Sequence, residues 1–147
     1  MAALQVDTPI QLVLFDMAGT TVDDIVDGKP VVMVAMQAAF RELRGEDVPD
    51  ASVTAIRGLE KKEALRVLLV EQLGAGAPEP STKAIDELYA AFKLELDKCL
   101  PRINQELHDA SVTFSALQRV GIKVCVGSGF PQKTVDTIVE TLGWRGM

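Results

Sequence analysis

A short apolar segment, residues 10–15, limits the fold more than any other part of the sequence, and it ends abruptly in Asp16. Its apolar residues are nearly continuous, a pattern typical of a strand that is buried on both faces of a parallel sheet. Small and polar residues follow at once, at 17–21, and predict a tight loop. Because ligands bind at the carboxyl ends of strands in open α/β sheets, Asp16 is a candidate functional residue.

Helical periodicity dominates the residues that follow. Three stretches carry apolar residues at three- and four-residue spacings and are therefore predicted to be helices: 30–44, 59–73 and 81–100. Gly45 and Pro101 are expected to end the first and third helices, and Ser81 to cap the third. Residues 74–80, rich in Gly and Pro, predict a loop.

The last third of the chain returns to an alternation of helix and strand. The pattern predicts a helix over 104–119, a strand over 122–126 and a final helix over 131–142. The resulting order is that of an α/β protein whose parallel core is interrupted early by an all-helical insertion. We therefore expect three segments: the first core strand and its loop at 1–24, a helical cap at 25–103, and the second part of the core at 104–147.

Composition narrows the class of partner. Fifteen basic and 21 acidic residues give a net charge of −6, and no Lys/Arg-rich run is present, so neither nucleic acid nor an anionic membrane is an expected partner. Two cysteines are too few for a disulfide framework, and Cys125, within an apolar run, is expected to be a buried and inert thiol. No signal peptide or spanning segment is recognised, so a cytoplasmic protein is the expectation. A monomer fits this composition, and a homodimer is left open.

Asp16 by itself supports two interpretations equally. A carboxylate at the end of a strand can act as a nucleophile or bind magnesium, and it can equally close an Asx-turn. Its context favours the first: residues 15–23 read Phe-Asp-Met-Ala-Gly-Thr-Thr-Val-Asp. This string resembles the first motif of the haloacid dehalogenase (HAD) superfamily, in the form found in phosphonatases (phosphonoacetaldehyde hydrolases) and phosphonatase-like relatives.

The resemblance implies a parallel, Rossmann-like HAD core with an inserted helical cap. It also implies that Asp16 is the nucleophile and that an aspartyl-phosphate forms during hydrolysis of a small phosphorylated or phosphonate substrate. Mg²⁺ would be bound at the positions of Asp16 and Ala18. In the usual motif the position of Ala18 holds a second Asp that acts as general acid and base, so that acid is missing here.

The second HAD motif is a Ser or Thr at the end of the next core strand, and Ser128 fits it, within Val-Gly-Ser-Gly-Phe at 126–130. A Gly-Ser-Gly sequence alone usually forms no more than a turn. Next to a helix N-terminus, a hydroxyl and loop amides can hold an oxyanion. The phosphate-binding positions implied by the resemblance are Ala18, Gly19, Thr20, Ser128 and Gly129.

The cap contributes one candidate catalytic residue, Lys61. The sequence Gly-Leu-Glu-Lys at 58–61 resembles the segment in which phosphonatases carry a Schiff-base lysine, although a solvated helix lysine is an equally good interpretation. Other phosphonatase positions are altered: Arg57 stands for a Met, Ala64 for a His, Val26 for a Cys, and Phe130 for a Tyr. These changes favour a phosphonatase-like phosphohydrolase over an enzyme that cleaves a C–P bond.

The third and fourth HAD motifs, a Lys or Arg and an acidic pair, are expected beyond Trp144. The 147 residues are therefore expected to be a truncated member of the superfamily and inactive on their own. The rival hypothesis is a fragment or pseudoenzyme that works by binding. A phospho-receiver domain also has an Asp at the end of a strand, but it lacks room for so long a helical insertion.

Overall fold

The computed structural model describes residues 9–146, so the start of the first predicted segment and Met147 lie outside the described residues. Its elements, in chain order, are β1 (Leu12–Asp16), β2 (Ile25–Val26), β3 (Lys29–Pro30), α1 (Val31–Arg44), α2 (Asp50–Ala55), α3 (Lys61–Leu73), α4 (Thr82–Cys99), a short 3₁₀ helix (Leu100–Arg102), α5 (Ala110–Arg119), β4 (Lys123–Gly127) and α6 (Gln132–Thr141).

The core sheet consists of β1 and β4, which run parallel. Their register pairs Leu12 with Lys123 at one end and Asp16 with Gly127 at the other. Parallel neighbours require a long crossover, and here the crossover contains α1 to α5. The predicted α/β fold with a parallel core and a helical insertion is confirmed.

The prediction that β1 is buried on both faces is wrong. Phe15 packs against Phe114 of α5, with ring centroids 5.2 Å apart, but Leu12 and Leu14 are 55% and 65% exposed. Both α5 and α6 pack on the Phe15 face, and no element within residues 9–146 covers the opposite one. For the same reason Cys125, paired with Leu14, is exposed and not buried as predicted.

The predicted helices over 30–44, 59–73 and 81–100 are confirmed to within two residues at either end. The Ser81 hydroxyl caps α4 by accepting a hydrogen bond from the Ala84 amide at 3.2 Å. Gly45 ends α1 in the left-handed conformation, with φ 65°. The largest side chains buried between these helices are Phe40, Met36, Leu65, Leu68, Leu69, Phe92 and Leu96.

The sequence analysis missed two elements. The first is the hairpin of β2 and β3, which turns through Asp27 and Gly28 with φ values of 52° and 76°. Asp-Gly is the preferred pair for such a two-residue turn, so the signal was present in the sequence. The second is α2, where Pro49 precedes Asp50 at the start of the helix.

The helix predicted to begin at 104 begins instead at Ala110. Residues 105–107 form backbone hydrogen bonds with the segment after β1: the Asp23 amide donates to Gln105, and the Leu107 amide donates to Thr21. A backbone committed to these bonds cannot continue the helical ladder toward its N-terminus.

The two connections between core and insertion lie side by side. The guanidinium of Arg102, after α4, forms hydrogen bonds of 2.7 and 3.0 Å with the carboxylate of Asp27 in the hairpin turn. This ion pair joins the entry and exit of the helical insertion. The division of the chain at residues 24 and 103 stays a prediction. Within residues 9–146 no helix is both long and apolar enough to span a membrane.

Glu106 lies in the connection from the insertion back to α5, and its hydrogen bonds join this connection to Trp144 near the C-terminus. Its carboxylate accepts hydrogen bonds from the amide and hydroxyl of Ser111 and from the indole N–H of Trp144, at 3.1, 2.8 and 3.2 Å. Trp144 in turn packs edge-on against Phe114, with centroids 5.0 Å apart. The Ser111 hydrogen bond, with smaller contributions from Trp144 and the Ser111 amide, lowers the pKa of Glu106 below its ordinary value.

We expect Glu106→Gln to reduce the free energy of unfolding at pH 7 by about 1–3 kcal/mol, as for other hydrogen bonds to a charged group. Because the folded-state pKa is lowered, the carboxylate stabilises the fold above its unfolded-state pKa of about 4.3. That stabilisation is lost as the pH falls through the lowered folded-state pKa. Urea titrations at several pH values should show the difference from wild type shrinking toward acid. Glu87→Gln, on the exposed surface of α4, is the matched control and should change little. A difference that does not depend on pH would contradict the prediction.

Candidate active site

The carboxyl edge of the two-stranded sheet brings together the two segments predicted to carry the chemistry. Asp16 is the last residue of β1 and pairs with Gly127, the last residue of β4, so Ser128 follows directly beside it. The predicted placement of Asp16 and Ser128 at the ends of adjacent parallel strands is confirmed. Their catalytic roles stay predictions.

The loop after Asp16 is built around the carbonyl of Met17, whose side chain is fully buried. This oxygen accepts hydrogen bonds from the amides of Thr21 and Val22 at 3.0 and 2.9 Å. The Gly19 amide donates to Val22 at 2.9 Å, which closes the loop on itself. Gly19 adopts φ 71°, a conformation that strains residues with a Cβ. The loop is therefore held in one shape by its own backbone.

The Asp16 carboxylate is exposed and lies at the mouth of this loop. The Thr20 hydroxyl donates to its Oδ2 atom at 3.1 Å, while the Thr21 hydroxyl donates to the Asp16 backbone carbonyl at 2.9 Å. One carboxylate oxygen is thus oriented by Thr20, and the other is available to a ligand. A nucleophile or a metal ligand requires such an accessible oxygen.

Ser128 is held by the turn that follows β4. Its Oγ atom accepts a hydrogen bond from the Phe130 amide at 3.1 Å, so its hydroxyl proton is available to another acceptor. Phe130 is buried, which fixes the turn, and α6 begins two residues later at Gln132. The Ser128 and Gly129 turn and the start of α6 suit an oxyanion site.

Lys61 reaches the same edge from the insertion. It is the first residue of α3, and its Nζ atom lies 3.6 Å from where a Cβ on Gly129 would be. The Glu60 carboxylate caps this helix by accepting from the Lys62 and Glu63 amides, at 2.9 and 3.1 Å. Lys62 points elsewhere and pairs with Asp86 at 2.7 Å. Of the two adjacent lysines, Lys61 is therefore the one directed at the candidate site.

A cavity of about 160 Å³ lies between the loop after Asp16 and the helical insertion. Its loop side includes Ala18 and Gly19, and its polar side chains are Asp24, Arg57 and Lys61. The remaining wall is apolar and is formed mainly by Val32, Met33, Met36, Val53, Ile56 and Ala64. The cavity suits a small ligand with both charged and apolar groups.

Asp24 is a candidate that the sequence analysis passed over. It lies at the entrance to the insertion and is only 7% exposed, and its Oδ1 atom would be 3.5 Å from a Cβ on Gly19. Burial raises its pKa above the ordinary value, and the carboxylates of Asp23 and Asp16 add to the increase. Its backbone hydrogen bond and the charge of Arg57 act in the opposite direction. The only sequence signal for Asp24 as a site residue was its position as a second acidic residue next to Asp23.

Magnesium binds oxygen ligands and commonly uses one or two carboxylates together with water and substrate phosphate. The exposed carboxylate of Asp16 fits this preference. The backbone carbonyl of Ala18 fits too, because the bonds that close the loop use the amides of Gly19 and Val22 and the carbonyls of Met17 and Val22. Between residues 9 and 146, no cluster of three or more His, Cys, Asp or Glu side chains forms a complete metal site.

The chain belongs to the haloacid dehalogenase-like hydrolase family, whose model matches residues 10–147. It is 26% identical to a phosphonoacetaldehyde hydrolase of Bacillus thuringiensis (strain Al Hakam), over 93% of this chain and 53% of that protein. The chain spans about half the length of the curated relatives it matches.

Solved structures agree with the family assignment at the level of the fold. A phosphonoacetaldehyde hydrolase-like protein from Oleispira antarctica superposes with a TM-score of 0.78 at 23% identity, covering 95% of this chain and 51% of that one. A HAD-hydrolase from Bacillus subtilis, bound to magnesium, superposes with a TM-score of 0.57 at 13% identity and covers 92% and 61%. The relationship to phosphonatases is therefore distant.

The loop geometry makes a matched pair of glycine substitutions informative. We expect Gly19→Ala to lower the free energy of unfolding by roughly 1–2 kcal/mol, because φ 71° places a Cβ in a strained position. Gly129→Ala should change it by less than about 0.5 kcal/mol, since Gly129 has no positive φ and only the flexible end of Lys61 is near. Urea denaturation measures both. Equal effects would show that the loop conformation differs from the one described.

Proposed function

We propose that this chain forms part of a phosphonatase-like hydrolase that transfers the phosphoryl group of a small phosphorus-containing substrate to Asp16 and then to water. The observation that carries this proposal is the meeting of three elements at one edge: Asp16 after β1, the Ser128 turn after β4, and Lys61 from α3. A nucleophile, an oxyanion cradle and a cation in one place suit phosphoryl transfer.

In this proposal the carboxylate oxygen of Asp16 that is not bound to Thr20 attacks phosphorus, and the aspartyl-phosphate formed is then hydrolysed. The phosphoryl oxygens are held by the Ser128 hydroxyl, which already accepts from Phe130 and can donate its proton. The Ala18 and Gly129 amides are the other proposed donors, because the Gly19 and Thr20 amides donate to the carbonyls of Val22 and Met17 within the loop.

Magnesium is the proposed cofactor, bound by the Asp16 carboxylate and the Ala18 carbonyl. When bound, it would neutralise charge on the phosphoryl oxygens. The remaining ligands would come from water, the substrate and other parts of the whole protein, since residues 9–146 contain no group of three or more His, Cys, Asp or Glu side chains that could hold a metal ion.

Lys61 is proposed to hold the substrate anion. Within residues 9–146 it forms none of the ion pairs, so its charge is not neutralised by a neighbouring carboxylate. The cavity also departs from phosphonatases near this lysine. Arg57 and Ala64 line it where phosphonatases have a Met and a His that assist imine chemistry. These substitutions support anion binding over Schiff-base formation.

A phosphonoacetaldehyde hydrolase that uses a Schiff base is the second candidate function. One observation favours it: Lys61, the residue that matches the family's Schiff-base position, does reach the candidate site at Gly129. The 26% identity to curated phosphonoacetaldehyde hydrolases is consistent with either function.

The first test of the proposal concerns Asp16. In the whole protein with magnesium, Asp16→Asn should lower hydrolysis of phosphate esters by at least about 10³-fold, because an amide cannot form the acyl-phosphate. Quenched reactions analysed by mass spectrometry should find the phosphoryl group on Asp16 of the wild type and nowhere in the variant. Asp47→Asn, on the exposed surface, serves as control. Hydrolysis that persists in Asp16→Asn would remove the proposed mechanism.

The second test separates the two candidate functions. Borohydride should trap no adduct when the whole protein is mixed with phosphonoacetaldehyde, because an imine needs a neutral amine and Lys61 is expected to act as a cation. Peptide mass spectrometry locates any adduct, and Lys62, paired with Asp86, is the internal control. A reduced adduct on Lys61 would establish the Schiff-base function instead.

A further inference from the structure

When the phosphoryl group of an alkyl ester is transferred to an aspartate, the leaving alkoxide needs a proton. A residue of the site must supply that proton. The position two residues after Asp16 holds Ala18, whose methyl side chain has no acidic proton to donate. Ala18 nevertheless lines the cavity next to the loop, so the space where a leaving group would sit is present. Among residues 9–146, Asp24 is the one carboxyl group that lines this cavity.

Asp24 is placed to act on a ligand there. Its Oδ1 atom lies against Gly19, the residue after Ala18, and its side chain is largely removed from solvent. Within residues 9–146 its carboxylate accepts no hydrogen bond from another residue's side chain. Its backbone carbonyl accepts from the Val31 amide at 2.8 Å, which fixes the residue where the insertion begins.

We propose that Asp24 is the general acid and base of this site, donating a proton to the leaving group in place of the residue that Ala18 replaces. The proposal deepens the proposed function and rests on it. The cavity identifies the acid, because Asp24 is a carboxyl group that lines it close to Ala18, whose side chain has no carboxyl group.

Burial and the neighbouring carboxylates favour the protonated form of Asp24. Burial, Asp23 and Asp16 raise its pKa, while its own backbone hydrogen bond and Arg57 lower it. Lys61 lines the same cavity. With burial as the largest cause, Asp24 keeps its proton at a pH where an exposed aspartate has lost it. An acid that is protonated before the reaction is what leaving-group departure requires.

The proposed step balances in protons and electrons. A carboxylate oxygen of Asp16 forms a bond to phosphorus as the bond from phosphorus to the ester oxygen breaks. That oxygen takes the proton of Asp24 and departs as an alcohol. Water then attacks the aspartyl-phosphate and gives a proton to the Asp24 carboxylate. Phosphate leaves, and Asp16 and Asp24 return to their starting states.

The test uses the dependence on the leaving group. p-Nitrophenolate departs without a proton, whereas the alkoxide of an alkyl phosphate does not. In the whole protein, Asp24→Asn should lower kcat for an alkyl phosphate by about 10²–10⁴-fold. With p-nitrophenyl phosphate it should still release one nitrophenolate per site in a burst and then stall as the phosphoenzyme.

Two further variants make this result specific. Asp24→Glu, which keeps a carboxyl group, should recover part of the alkyl phosphate activity. Asp23→Asn removes the same charge one residue away, where the carboxylate binds the Ile25 amide at 3.1 Å, and should retain the wild-type preference between substrates. Equal losses on both substrates in Asp24→Asn, without a burst, would show a structural role and overturn the proposal.

A second measurement does not depend on turnover. Carbon-13 NMR of the aspartate carboxyl groups in the 147-residue chain, assigned with Asp24→Asn, should show Asp24 titrating above the exposed aspartates. Titration at or below their values would overturn the proposal. Failure of the parent function is distinguishable, because it would appear as hydrolysis that is absent or independent of Asp16. If only the role proposed for Asp24 is wrong, Asp24→Asn will still hydrolyse the substrate in a reaction that depends on Asp16.

Discussion

The parallel pairing of β1 with β4 is the interaction on which the candidate site depends. It sets Asp16 opposite Gly127, and the two segments reach this register only after the chain has passed through the whole helical insertion. One face of the pair is supported by an aromatic cluster in which Phe15 contacts Phe114 and Phe114 contacts Trp144. A shift of register by one residue would point the strand's side chains to opposite faces and separate the loop from the Ser128 turn.

The insertion is held in a fixed position relative to the sheet because its two connections to the core are bound to each other. The Asp27–Arg102 ion pair joins them at the surface, and backbone bonds between residues 21–23 and 105–107 join them beneath it. An exposed ion pair contributes little stability, so the backbone bonds and buried side chains supply most of the anchoring. With the base of the insertion fixed in this way, the start of α3 is held over the edge of the sheet, and Lys61 lies against Gly129.

Charges in the candidate site come from both parts of the chain. The core contributes the carboxylate of Asp16 and the hydroxyl of Ser128, the insertion contributes the cations Arg57 and Lys61, and Asp24 stands where the two meet. The cavity beside the loop is lined by Asp24 and by Arg57 and Lys61 of the insertion, so a buried carboxyl group and two cations share one small space.

Local patterns in the sequence determined the strand that ends at Asp16, the main helices and the Ser81 and Gly45 caps, because backbone preference and side-chain period act over a few residues. The two motifs were identified by their resemblance to those of the HAD superfamily. The hairpin that turns through Asp27 and Gly28 also depends on a local signal, the Asp-Gly pair, although it was not predicted. Tertiary structure alone decided that one face of β1 is covered, that α5 starts at Ala110, and that Asp24 enters the cavity. Each of these depends on which distant segment packs or forms hydrogen bonds there, and no run of neighbouring residues carries that information.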